Sequence, residues 1–167
     1  MIYGGPGRDY FQQLLPLGNE SFLALGSKTE GKSRVWLVKI NESGEVVWEK
    51  TYGWSGSSDF HGHRMTKLAD GNFMIVGEMH TDASFNNRFG LSIKVDTAGI
   101  VLAQYSYDNV HALFDVIEQD GELIFLGWFD NTGSSNSGVI MRADPDGSQS
   151  WIKLFQVQHF HPGMQQY

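Results

Sequence analysis

The chain has 167 residues, of which 41% are hydrophobic, 13% aromatic and 19% charged, the composition of one folded domain and not of a disordered segment. Nineteen acidic against twelve basic side chains leave a formal net charge of −7, which gives a phosphate-tracking surface no support and removes nucleic acid as an expected partner. No apolar run approaches the roughly 20 residues of a membrane-spanning helix, Met1 to Asp9 lack the basic and apolar blocks of a signal peptide, and the lack of cysteine excludes disulfides, thiol catalysis and thiolate metal sites.

In chain order, the first apolar run is Ser21 to Gly26, and it recurs as Asn72 to Gly77 and Glu122 to Gly127, about every fifty residues. A turn dipeptide precedes each run: Asn19-Glu20, Asp70-Gly71 and Asp120-Gly121, the last two being strong hairpin signals. Each run is followed by a second element with a basic residue two positions before Asn or Asp: Trp36 to Asn41, Leu91 to Asp96 and Val139 to Asp144. The chain then turns at Gly44, Gly99 or Gly147 into a third element, Glu45 to Trp48, Ile100 to Ala103 and Ser148 to Trp151. A tyrosine opens each unit, at Tyr3, Tyr52 and Tyr107. With the segment ahead of each hairpin turn, this predicts four short strands per unit, rich in β-branched and aromatic residues and separated by Gly, Asn, Asp and Ser. No segment reads as a helix. Four-stranded units at this period predict an all-β fold of β-propeller blades, antiparallel within each unit, in a single domain over 1–167. The blades are set at approximately 3–51, 52–106 and 107–155, with a tail over 156–167.

The segments Trp36 to Asn41, Ser43 to Gly53 and Asp70 to Gly77 resemble the repeats of bacterial β-propeller proteins, many of them cell-surface or secreted. The likeness covers nearly the whole chain. It departs in the third unit, where the Tyr-Gly-Gly opening gives way to Tyr107-Asp108-Asn109, and in the second, which lacks the tryptophan. The resemblance implies an architecture with surface binding or scaffold roles more than any one reaction, and a location at the cell surface or outside the cell.

Three blades are too few to close a ring, since closed propellers have roughly four to eight. Two chains head to tail about a twofold axis would give six, so a homodimer is the expected assembly. The competing expectation is a piece of a longer propeller: Phe60-His61, Val110-His111 and Phe160-His161 share one interval, so the tail reads as the start of a fourth first strand. It reads equally as a strand swapped onto a partner chain, or as a disordered end.

In an up-and-down blade, the short repeated Asn/Asp/Gly turns lie on one face, and the longer, variable connections lie on the other. Binding residues favour variable loops on a rigid scaffold, which selects Trp54, His80, Asn86, Asn87, Arg88, Trp128, Asp130 and Asn131 as ligand candidates. Trp with Asn, Asp and Arg suits a sugar through ring stacking and planar hydrogen-bonding groups. Trp36, Trp48 and Trp151 recur with the repeat and are expected to pack between blades.

His61-Gly62-His63 places two imidazoles on one strand face by the period of two. If first strands line a channel, His61, His111 and His161 point toward a common axis, a spacing compatible with zinc or copper. No carboxylate cluster completes that set, so channel or core histidines are the plainer expectation and no cofactor is implied. Asp144 to Gly147 has the opening of a calcium loop, but Phe155 stands where a bidentate Glu is needed, so it reads as a turn. Asp9 and Asp59 precede the first two first strands and read as caps on the turn at each blade start.

These residues together predict a non-enzymatic binding or scaffold module presenting a loop face to a protein or glycan. The alternatives are a carbohydrate-active hydrolase with acidic residues at the propeller channel, and a structural spacer within a longer surface protein.

Overall fold

A computed structural model of the chain describes residues 7–18, 21–54, 58–81, 87–130 and 136–156. Their elements are twelve β-strands: β1 (Tyr10–Gly18), β2 (Ser21–Glu30), β3 (Lys32–Ile40), β4 (Val46–Tyr52), β5 (Asp59–Lys67), β6 (Phe73–His80), β7 (Arg88–Val95), β8 (Val101–Tyr107), β9 (Ala112–Gln119), β10 (Glu122–Asp130), β11 (Asn136–Ala143) and β12 (Gln149–Gln156). They form three four-stranded antiparallel sheets, β1 to β4, β5 to β8 and β9 to β12, each strand beside its neighbour in sequence. The fold is thus all-β, and its three four-stranded antiparallel sheets fit the expected arrangement of repeated units. Tyr52 and Tyr107 close β4 and β8 and do not open the units that follow. The tail from 157 onward, with its candidate fourth first strand, lies outside the described residues. Among the described residues no helix is long and apolar enough to cross a membrane.

The sheets stack face to face, with β5 against sheet one and β9 against sheet two. Alternation along each strand explains the stack. In β6, Phe73 and Ile75 join Leu23, Leu25, Val35 and Leu37 of sheet one in one core cluster. Met74 and Val76, pointing the opposite way, join Leu123, Phe125, Val139 and Met141 of sheet three in another. Strand β6 is therefore apolar at successive positions, because both of its faces are covered. Complete burial of Phe60 or Phe125 contributes about 1.5–3 kcal/mol each.

Each sheet accordingly has a leading face, turned toward the next sheet, and a trailing face, turned toward the previous one. The glycine-ended runs use the same positions each time: Leu23 and Leu25 lead in sheet one as Met74 and Val76 do in sheet two. Among the described residues, the trailing face of sheet one and the leading face of sheet three have no sheet against them. Sheet one shows Phe11 and Leu14, 46% and 59% exposed, beside a small cluster of Ala24, Trp36 and Val38. Sheet three shows Ile117 and Leu126, 52% and 49% exposed.

The third-to-fourth-strand turn of each following sheet sits on the fourth strand of the one before. Gly99 needs a positive φ of 76°, closing the turn that Asp96 braces by accepting the Ile100 amide. Tyr52 Oη donates to its carbonyl at 3.0 Å, and a Cβ on Gly99 would meet Trp48 and Lys50. The next joint repeats this: Tyr107 Oη donates to the Gly147 carbonyl, and Tyr105 Oη donates to Asp146 Oδ2 at 2.8 Å. Burial pushes both Tyr52 and Tyr107 well above the ordinary tyrosine range. The Asp144 to Gly147 segment is the turn expected of it, with Gly147 N donating to Asp144 O at 2.8 Å.

Candidate functional site

The inner edge of the stack is shaped by the glycines that end the apolar runs. A Cβ on Gly26, Gly77 or Gly127 would overlap the backbone carbonyl oxygen of Tyr10, His61 or Ala112, so only glycine permits the first strand to lie so close. At each of these glycines the first strand bulges, with register shifts between Phe11 and Gln13, between Gly62 and Arg64, and opposite Leu126 and Gly127. The extra residue is Gln12, His63 and Phe114 in turn. These three, with Arg64, line a cleft of ≈ 240 Å³ along the inner edge.

Behind this cleft lies Glu78, the one carboxylate on β6. It pairs across the sheet with His61, and its side chain is 15% exposed. His80 Nε2 stands 3.2 Å from Glu78 Oε1, His63 Nε2 stands 3.7 Å from the same oxygen, and Arg88 Nη1 stands 3.8 Å from Oε2. His61 lies beside His80 with ring centres 5.4 Å apart, and its Nδ1 is 3.3 Å from Tyr10 Oη of sheet one. His63 Nδ1 is 3.1 Å from the Leu113 carbonyl, which can only accept, so this nitrogen carries a proton. The Phe114 ring stacks on His63 at 5.4 Å. One carboxylate thus gathers cationic or ionisable groups from β5, β6 and β7, while the adjoining sheets supply Tyr10, Leu113 and Phe114.

The electrostatics follow from that arrangement. Burial pushes the Glu78 carboxyl up, but the adjacent His80 and the nearby His63 and Arg88 outweigh it and hold Glu78 below the usual carboxylate range. Burial holds His61 below the ordinary histidine value, against the pull of Glu78. Asp59 is also burdened by burial, yet the Ser33 amide and the Lys32 ammonium keep it below the usual range. Its bond to Ser33 N at 2.7 Å ties β5 to the second-to-third-strand turn of sheet one, a cross-sheet role beyond the local cap expected. Asp9 accepts from Thr29 N at 2.9 Å within its own sheet.

Of the loop-face ligand candidates, the structure brings three together. Arg88, paired with Glu78, also places its guanidinium over the Trp128 ring, 5.9 Å from the centre, and His80 completes the group. Trp54 packs edge-on against Phe60 at 4.8 Å and leans on the core between sheets one and two, which gives it a packing role. Asn87 is exposed, and its carbonyl accepts from Thr81 N at 3.1 Å. Asp130 ends β10, while Asn86 and Asn131 lie outside the described residues. Of the candidate metal histidines, His61 belongs to the Glu78 group and His111 lies edge-on to Trp128 at 5.3 Å. His161 lies outside the described residues, and among those described no group of three or more His, Asp or Glu side chains could hold a metal ion. Sequence reasoning missed Glu78 and the bulge that sets His63 against it. The signal that was available is a charged residue following the glycine of a buried run, Gly77-Glu78, where the strand otherwise continues apolar.

Compared with known proteins, the chain matches no family model and no curated protein.

Proposed function

We propose that this chain is a non-enzymatic β-propeller module that presents its variable-loop face to a protein or glycan partner, and that it associates with itself to complete a ring of six blades. The observation that carries the binding reading is the Arg88 guanidinium, shared between Glu78 and the face of Trp128 at the loop end of the stack. Arg88 is half-buried at 32% exposure, so its fork is oriented by its neighbours while part of the side chain faces solvent. An oriented guanidinium beside a half-buried indole and two imidazoles offers planar hydrogen bonding next to an apolar plate, the combination that sugar rings and polar peptide groups use.

A carbohydrate hydrolase needs one carboxyl kept protonated as the acid and a second carboxylate opposite it. Glu78 and Asp59 are both held below the usual carboxylate range, which suits charge pairing and not proton donation.

The test is a glycan array and a pull-down against surface-protein extracts, repeated with Arg88→Ala and Trp128→Ala. Loss of a bound glycan or partner in both variants, with the melting curve retained, supports the reading. Unchanged binding in both, or no ligand for the native chain, favours a spacer role and overturns it.

A further inference from the structure

The two sheet faces that, among the described residues, have no sheet against them are, by register, the two halves of the joint that the chain already builds twice. Lys39, Lys94 and Arg142 hold one position on the third strands, and Trp48, Ala103 and Trp151 stand opposite them on the fourth. Two positions further on stand Lys50, Tyr105 and Lys153, and two beyond those stand Tyr52, Tyr107 and Phe155. In sheets one and two these residues form the seat that receives the next sheet's turn. In sheet three the seat is exposed: Trp151 is 43% and Phe155 47% accessible. In sheet one the turn from Asn41 to Gly44 has the same build as the two that are seated, with Gly44 N donating to Asn41 O at 3.0 Å and a positive φ of 77°.

We infer that the leading face of sheet three receives the trailing face of sheet one from a second copy of this chain, with the Asn41 to Gly44 turn seated on Trp151, Lys153 and Phe155. This rests on the ring-closing part of the proposed function and names its contact. The occupant is indicated by the existing joints and by charge. In the joint between sheets two and three, Lys94 Nζ reaches the Pro145 carbonyl at 2.9 Å, and Tyr105 Oη reaches Asp146 of the seated turn. The equivalents at the open joint are Arg142 facing Glu42, and Lys153 facing Ser43 and Glu45. At these positions the basic residues thus fall on one half and the acidic residues on the other, where the internal joint pairs each charged group with a neutral one, Lys94 with a carbonyl and Asp146 with a hydroxyl. Arg142 already pairs with Glu122, as Lys94 pairs with Asp70 while still reaching across its joint. Phe155 replaces the tyrosine that latches the internal joints, so the open joint exchanges a hydrogen bond for these two ion pairs. Two such joints about a twofold axis close at six blades, within the range of propeller rings.

The experiment is light scattering on size-excluded protein, for the native chain and two double variants. Arg142→Glu with Lys153→Glu reverses one half of the joint; Glu42→Lys with Glu45→Lys reverses the other. The native chain is expected at twice 18.7 kDa and each double variant at 18.7 kDa with an unchanged circular dichroism spectrum. Mixing the two double variants in equal amounts is expected to regain the larger mass, because both joints of the mixed dimer are again complementary. A native chain that stays at 18.7 kDa at the highest attainable concentration overturns ring closure by a second copy. A native dimer that both reversals leave intact, or that mixing fails to restore, overturns this joint and leaves self-association standing through another surface.

Discussion

Tyr107 of sheet two donates its hydroxyl to the carbonyl of Gly147 in sheet three, and the same hydroxyl lies 2.7 Å from Ser92 Oγ. With the bonds from Lys94 Nζ to the Pro145 carbonyl and from Tyr105 Oη to Asp146, it helps set the height at which one sheet meets the next. Tyr107→Phe keeps the ring and its packing but leaves the Gly147 carbonyl without this donor, which costs about 1–3 kcal/mol. Tyr52→Phe does the same to Gly99 and is expected to cost a similar amount. Urea unfolding of both variants measures this, and a midpoint unchanged in either would show that water replaces the latch there.

Gly77→Ala is expected to cost about 3 kcal/mol or more, since its Cβ would overlap the His61 backbone oxygen and the strand cannot move without opening the joint. Gly138→Ala is the control. Its Cβ would meet only Phe155, at 3.9 Å, so a change within about 0.5 kcal/mol is expected. Thermal melts of the two variants side by side decide the matter.

Stability should fall in two stages on acidification. His61 is held below its usual 6.5, so the unfolded chain takes up this proton first and stability declines as pH drops through that value. Glu78 and Asp59 are held below their usual 4.5 and 3.8, so their contribution is intact at neutral pH and is lost only under more acidic conditions. Melting temperatures at close pH steps should resolve the stages, and His61→Asn should flatten the first while leaving the second.

Glu78→Gln removes the charge that opposes burial at His61. The His61 proton affinity should therefore fall further, which a histidine-resolved NMR titration reads directly. The variant also leaves Arg88, His63 and His80 without their shared anion, an expected loss of about 1–3 kcal/mol.

How much of this could be read in advance depended on whether neighbours in sequence or across sheets were decisive. The glycine-ended runs and the Asn/Asp/Gly turns are local signals, and they placed the strands and the sheet order. The tyrosines are visible as a repeated feature, but their role rests on a contact roughly forty to fifty residues away, so the repeat alone places Tyr52 and Tyr107 at the start of units, while they end β4 and β8. Glu78 was hidden for a different reason. Alternation along β6 assigns it a face but not its neighbours, and the bulge at His63 breaks the period of two on which the histidine pairing was reasoned. The sequence marks Arg88 and Trp128 only as residues at variable connections; that they meet follows from the stacking of sheet three on sheet two.

The bulges on β1, β5 and β9 have a consequence for what the module can become. Gln12, His63 and Phe114 occupy one structural position with an amide, an imidazole and a phenyl ring. A glycine on the neighbouring strand holds the backbone there, and the residue itself is excess to the pairing. The position works as a socket whose fitting can be exchanged without disturbing the walls, so the lining of this edge can be rewritten sheet by sheet while the frame stays unchanged.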